Sequence, residues 1–385
     1  MASVAENFGG IQKIETRKLE GSGLSRFKVG DTLFAKITPC PENGKVAFVG
    51  ELPAELGIGS TEFIVLSPRD DSHPRFLFHL LCCHAVRGRA AARMEGSTGR
   101  QRVPEDVFEK RLLVPVPLPE EQAAIARVLD AVDATLERNR TAVERAGAVR
   151  RGLFQAAFEF EITREPMKTS DAGRIPSSWD AIKGQQAFVI LTGGCSSVDA
   201  IRKPRDGREA DAWFMKVDDF NAPENRRTVT RTKIGFRAAD NPMFKLLPLQ
   251  TLVIAKRGAA ILKNRIRSTA VPVAIDPNLM AIQTLPGMRP DFLKYQLEWR
   301  NLSRYVEDSG VPQLNNKDLY PRYFLRAPDA QQRQIIEMIT TAETYQDTLI
   351  AKLEAVEVLK KSLMHDLLTG RVRVNPRHFQ EAILP

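Results

Sequence analysis

A chain of 385 residues is long enough for two or three domains with cores of their own. Its 56 Lys and Arg outnumber 47 Asp and Glu, giving a net charge of +9 and a pI near 9.4; such a balance suits a polyanionic partner, nucleic acid or an anionic membrane surface. No apolar run approaches the ~18–20 residues of a membrane span, the N-terminus "MASVAENFGG" has neither a basic nor an apolar leader region, and four cysteines (Cys40, Cys82, Cys83, Cys195) are too few for a disulfide scaffold and suit reduced thiols in the cytoplasm.

The first expected elements are strands: "DTLFAK" (Asp31–Lys36), "KVAFVG" (Lys45–Gly50) and "EFIVLSP" (Glu62–Pro68), all short, β-branched and bounded by Gly or Pro. Phe27, Phe34 and Phe48 read as strand core. "HPRFLFHLL" (His73–Leu81) begins a helix after a proline. His79, Cys82, Cys83 and His84 cluster in that apolar helix, taken as Phe76–Val86, but their spacing fits no common zinc pattern and points to core packing. A small-residue turn, Gly96-Ser97, leads to "QRVPE" (Gln101–Glu105), then Asp106-Val107-Phe108 and a short apolar strand, "RLLVPVP" (Arg111–Pro117). A long helix follows over 118–160. The polar stretch "ITREPMKTSDAGRIP", with its two prolines, reads as a linker over 161–174.

The same order then returns. "TLVIAK" (Thr251–Lys256) matches "DTLFAK"; "TAVPVAI" and "LMAIQTL" are further strands; "RPDFLKYQL" (Arg289–Leu297) matches "HPRFLFHLL". Ser309-Gly310, "QLNNK" (Gln313–Lys317), Asp318-Leu319-Tyr320 and "RYFLRAP" then lead into a second long helix over 328–370 and a tail over 371–385. In the first long helix Ile125, Leu129, Val132, Leu136 and Val143 recur at steps of three and four; Ile335, Ile339, Leu349, Leu353 and Val356 do so in the second. Ile125 and Ile335 stand 210 residues apart, as do Val143 and Leu353, and the polar residues Asn139 and Gln346 interrupt the two seams once each. Helices of about 35 residues, roughly 50 Å long, would leave such seams wet unless each packed on its twin. The expected layout is therefore globule (1–117), helix (118–160), linker (161–174), globule (175–327), helix (328–370). The second globule has about 75 residues ahead of "TLVIAK" and the first about 30 ahead of "DTLFAK", so the front of the first globule reads as shortened.

The helix starts "PLPEEQAAIARVLDAVD" and "APDAQQRQIIEMITTAE" and the helix end "LKKSLMHDLLTGRVRV" make the chain resemble, over nearly its whole length, the specificity subunit of type I restriction–modification systems. The resemblance implies an α+β fold: two mixed α/β target-recognition domains alternating with two long helices that pair as an antiparallel coiled coil. It also implies a cytoplasmic subunit without catalytic residues, cofactor or metal. Such a subunit binds a bipartite site in double-stranded DNA and docks two modification (adenine methyltransferase) subunits and restriction subunits. A truncated or decayed subunit, acting as a coiled-coil scaffold that reads one half-site or none, is the alternative.

DNA readout needs cations for phosphates and Arg, Lys, Asn or Gln for base edges. In the second globule Lys256, Arg257, Lys263, Arg265 and Arg267 lie in a stretch with no acidic residue, and strand spacing would put Lys263, Arg265 and Arg267 on one face. Gln313, Asn315, Asn316 and Lys317 form an amide-rich loop that could read adenine or cap the next helix. Lys36, Lys45, Arg100 and Arg102 are the first globule's counterparts. For catalysis the sequence offers little: "DNPMF" (Asp240–Phe244) lacks the second proline of an adenine methyltransferase motif, and no G-x-x-x-x-G-K-[ST] loop is present. Pro290-Asp291 is not followed by the Glu-x-Lys of a metal-dependent nuclease, and His365 and His378 have no evident partners.

Overall fold

A computed structural model describes residues 2–6, 8, 10–15, 24–97, 99–162, 164–191, 198–202, 209–306 and 310–376; Cys195, Ser309 and His378 lie outside the described residues. The chain divides into two compact units, Met1–Val143 with Thr348–Pro385, and Glu144–Asp347. Two helices of 40 residues supply both: a central helix, Pro119–Phe158, and a C-terminal helix, Asp329–Leu368. Proline at or just before the first turn presets φ, and Glu120, Glu121 and Asp329 place negative charge at the positive ends of the helix dipoles.

In the first unit β1 (Ser25–Phe27) pairs with β4 (Gly57–Gly59), while β2 (Thr32–Ala35) lies between β3 (Val46–Phe48) and β5 (Phe63–Leu66), all antiparallel. The apolar helix is two helices, α1 (Pro74–Cys82) and α2 (His84–Ala91), because Cys83 takes extended ψ and ends the first. Phe34, Val46, Phe76, Leu80 and Leu81 form one apolar cluster with Ile125 and Leu129 of the central helix and Met364, Leu367 and Leu368 of the C-terminal helix. Burying a side chain such as Leu129 contributes about 1.5–3 kcal/mol. Asp133 pairs with Lys360, and Arg140 with Glu357 at 3.3 Å; the partner's number falls as the first rises, so the two helices run antiparallel here.

In the second unit the hairpin β6 (Met167–Ser170) and β7 (Gly173–Pro176) occupies much of the stretch expected as linker. There follow β8 (Asp180–Lys183), β9 (Phe188–Leu191), β10 (Ala212–Met215), β11 (Thr228–Val229), β12 (Ile234–Phe236), β13 (Leu252–Ala255), β14 (Ile266–Thr269), β15 (Val273–Ile275), β16 (Leu279–Thr284) and β17 (Tyr323–Arg326). A five-stranded sheet runs β11-β14-β13-β16-β9, a three-stranded one β12-β10-β15, and β17 pairs with β8. The helix Pro290–Arg300 packs Phe292, Leu293 and Leu297 into a core shared with Phe154, Ala157 and Phe158 of the central helix and Ile335 and Ile339 of the C-terminal helix. Arg150 meets Glu343 at 3.1 Å, so the helices are antiparallel in this unit too.

The seam residues thus divide their contacts. Ile125, Leu129, Ile335 and Ile339 are buried among lobe side chains as well as helix ones, Leu136 is buried, and Val132, Val143, Leu349, Leu353 and Val356 are half-buried.

One joint is built twice. Gln122 Oε1 accepts from His73 N (2.9 Å) while its Nε2 donates to Pro117 O (2.9 Å); Gln332 does the same with Arg289 N (2.9 Å) and Ala327 O (2.8 Å). His79 Nε2 bonds Asp130 at 2.7 Å, and at the matching place Tyr295 Oη bonds Thr340 at 2.9 Å. The ion pair trades sides: the acid is Asp133 of the central helix in the first unit and Glu343 of the C-terminal helix in the second, with Lys360 and Arg150 as the bases. Burial would raise the Asp130 pKa, but hydrogen bonds from His79 and Arg75 outweigh it and hold the carboxyl at about 2. Burial pushes His79 down toward the neutral form, whose Nε2–H then donates to Asp130. The clustered His79, Cys82 and Cys83 are therefore core, with His79 also tying α1 to the central helix; His84 is exposed.

Candidate nucleic-acid interface

In the second unit the exit of β13 is clamped against the amide-rich loop. Leu314 N donates to Lys256 O (2.9 Å), Gly258 N donates to Pro312 O (2.8 Å), and Arg257 stands opposite Gln313. Gly258 has φ +76°, a conformation that disfavours any side chain. Lys256 and Arg257 are thus brought beside Gln313, Asn315, Asn316 and Lys317. Asn315 is the N-cap residue of a short helix, Asn316–Leu319; its backbone N–H donates to Asp318 Oδ2 (2.7 Å) and its Oδ1 accepts from Gln313 Nε2 (3.1 Å). Arg257, Gln313, Asn316 and Lys317 are exposed. Among the described residues no side-chain bond engages Lys256, Arg257, Lys263 or Lys317, so their ammonium and guanidinium groups are free to meet phosphate.

The expected face of Lys263, Arg265 and Arg267 does not form. Ile261–Lys263 is a 3₁₀ turn, Asn264 takes the left-handed conformation (φ +48°), and β14 begins only at Ile266. Lys263 is exposed, but Arg265 bonds Asn221 Oδ1 and Phe220 O. Arg267 is 9% exposed, donating to Asn225 O (2.5 Å) and Ile266 O (3.0 Å), and burial lowers its pKa to about 10. Arg267 is a core strut.

The first unit repeats the clamp. Val103 N donates to Lys36 O (2.9 Å), Thr38 N donates to Gln101 O (3.0 Å), and Ile37 stands opposite Arg102. Gln313 therefore corresponds to Arg102, one residue beyond the match to Gln101 expected from sequence. Charge is used differently here. Arg102 holds Glu62 through several hydrogen bonds (2.7–3.2 Å), and Lys36 meets Glu105 at 3.2 Å. Arg102 holds the Glu62 carboxyl below its usual range. Arg100 is exposed and Lys45 half-buried. Glu62 escaped the sequence reading because a partner 40 residues away leaves no local signal. Asn241 of "DNPMF" is buried and bonded to Arg202 and Arg237 backbone atoms, and Phe244 packs on Phe214 and Phe236.

Residues 18–145 match the family described as type I restriction modification DNA specificity domain. The chain is 33% identical to the type I restriction enzyme EcoAI specificity subunit of Escherichia coli over 131 residues, 33% of this chain, and the match spans about a fifth (22%) of that relative. It is 22% identical over 374 residues to a protein of Methanocaldococcus jannaschii described as the type I restriction enzyme MjaX specificity subunit, covering 94% of this chain and 83% of the relative. The type I restriction–modification S subunit of M. genitalium shares the fold, with a TM-score of 0.53 at 15% identity over 95% of this chain and 90% of that one. Residues 18–145 thus match a type I restriction modification DNA specificity domain, and the chain shares the S-subunit fold over 95% of its length.

Proposed function

We propose that the chain is the non-catalytic DNA-recognition subunit of a type I restriction–modification complex. Each unit reads one half of a bipartite site, and the subunit docks modification (adenine methyltransferase) subunits, two in number, and restriction subunits. The observation that carries this reading is the clamp found in both units, which in the second sets Lys256 and Arg257 beside Gln313, Asn315, Asn316 and Lys317. Free cations serve phosphates, and amides are suited to the N6/N7 edge of adenine. Lys263 fits as a further phosphate contact, and Lys45 and Arg100 as those of the first unit.

Adenine-methylation mapping of the genome with and without the gene, modification subunit present, tests the proposal. Loss of one bipartite motif is expected; an unchanged methylation pattern would overturn it. The pairing of Lys36 and Arg102 with Glu105 and Glu62 favours a second reading, in which only the second unit reads bases. That reading predicts a motif with one specified half.

A further inference from the structure

Within the polar clamp of the second unit one aliphatic side chain stands in water: Val311 is 75% exposed. Its place follows from the backbone. Gly310 takes φ +82°, and burial then alternates, with Val311 exposed, Pro312 half-buried, Gln313 exposed and Leu314 buried in the core. The bridge between Arg257 and Gln313 holds the segment extended. A period of two therefore puts Val311 and Gln313 on one side, about 6.6 Å apart. Partners across an antiparallel bridge share a face, so the exposed Arg257 joins them.

Folding does not require this valine. The first unit builds the same turn with Gly99 (φ +81°), and Arg100 and Arg102 stand where Val311 and Gln313 do. Arg100 is exposed as well, so a guanidinium fills the place of the valine and the clamp still closes.

Gln313 beside it is oriented. Its Nε2 donates to Asn315 Oδ1 (3.1 Å), which fixes the N–H end of the amide and leaves Oε1 and the second N–H free among the described residues. Those two atoms are the acceptor and donor that match N6–H and N7 of adenine in the major groove. The base opposite adenine adds one apolar group to that edge, the C5 methyl of thymine. Two residues of extended chain span about two base-pair rises of ~3.4 Å. An aliphatic group at 311 thus reaches a thymine methyl within two steps of an adenine held at 313.

We propose that Val311 reads the C5 methyl of a thymine in the half-site of the second unit, within two base pairs of an adenine read by Gln313. The assignment rests on the proposed function and narrows it: this half-site is read by an apolar contact as well as by hydrogen bonds.

The test uses the chain assembled with its modification subunit, on duplexes carrying the bipartite motif found by methylation mapping. Deoxyuridine replaces each thymine in turn, which removes the methyl and keeps the pairing. At one position the parent complex is expected to bind about fourfold more weakly, the effect of exposing one methyl group. V311A should bind the thymine and uracil duplexes equally there, and V311T, which keeps a methyl, should retain the discrimination. Val311 is exposed, so neither variant disturbs the core. Q313A should relax the choice of base within two pairs of that thymine. Indifference to uracil at every position, a discrimination that survives V311A, or relaxation by Q313A only elsewhere would overturn the proposal. A chain that directs no bipartite methylation would sink the proposed function and this inference together; a bipartite motif without the coupled thymine would sink this inference alone.

Discussion

Gln122 and Gln332 look interchangeable with any polar residue at the start of a helix, yet each is almost fully buried with both ends of its amide engaged. Leucine at either place would strand a backbone N–H and a carbonyl. Q122L or Q332L is expected to cost about 3 kcal/mol, one to two per orphaned group, measured by urea unfolding; a loss under about 0.5 kcal/mol would contradict the buried clasp. Glu298 carries a different signature. Burial raises its pKa to about 7, against the lowering pull of Lys294, Arg150 and Arg267, while Glu343 adds to the rise. The folded chain holds that proton across a range where the unfolded one has released it. The stability Glu298 contributes is full below about pH 4.5 and is lost as pH rises toward and through 7. E298Q should flatten that part of the Tm-against-pH curve; an unaltered slope would assign it to other groups.

The long helices were the most legible elements, because proline starts and a three-four spacing are local signals. Asn139 was visible as a break in the seam. It proves 7% exposed, with Nδ2 unpartnered among the described residues. N139L is expected to stabilise the chain by about 1 kcal/mol, read from thermal unfolding, since a buried polar group costs more than the aliphatic one replacing it. Elements that need distant partners were read less well. "RLLVPVP" has the composition of a strand but pairs with no strand among the described residues, whereas "RYFLRAP" has β8. Alternation over Lys263, Arg265 and Arg267 suggested a face, and Asn264, in the conformation that asparagine tolerates best after glycine, breaks it. An Asn between basic residues was the available warning.

For the molecule as a whole, order and duplication could be read from sequence, and so could most of the residues now found at the second clamp. Their meeting could not, because the exit of β13 and the loop are joined through backbone bonds across 56 residues of chain, from Arg257 to Gln313. Nor could the neutralisation of Arg102. These differences give a graded expectation for the isolated chain on duplex DNA. K256A with R257A should weaken binding on every sequence and reduce the slope of log affinity against log salt by about 2, whereas R102A should leave the slope within about 0.5 of the parent. Equal effects would mean that the Glu62 contact does not hold in solution.

The twice-built joint uses Gln122, Gln332, His79, Tyr295 and the traded ion pair, and none of these side chains belongs to the outward cations and amides. On the proposed function, locking a lobe onto its helices and choosing a DNA word are therefore entrusted to separate alphabets. A lineage can rewrite the second by ordinary drift, acquiring a new vocabulary without having to relearn its own architecture.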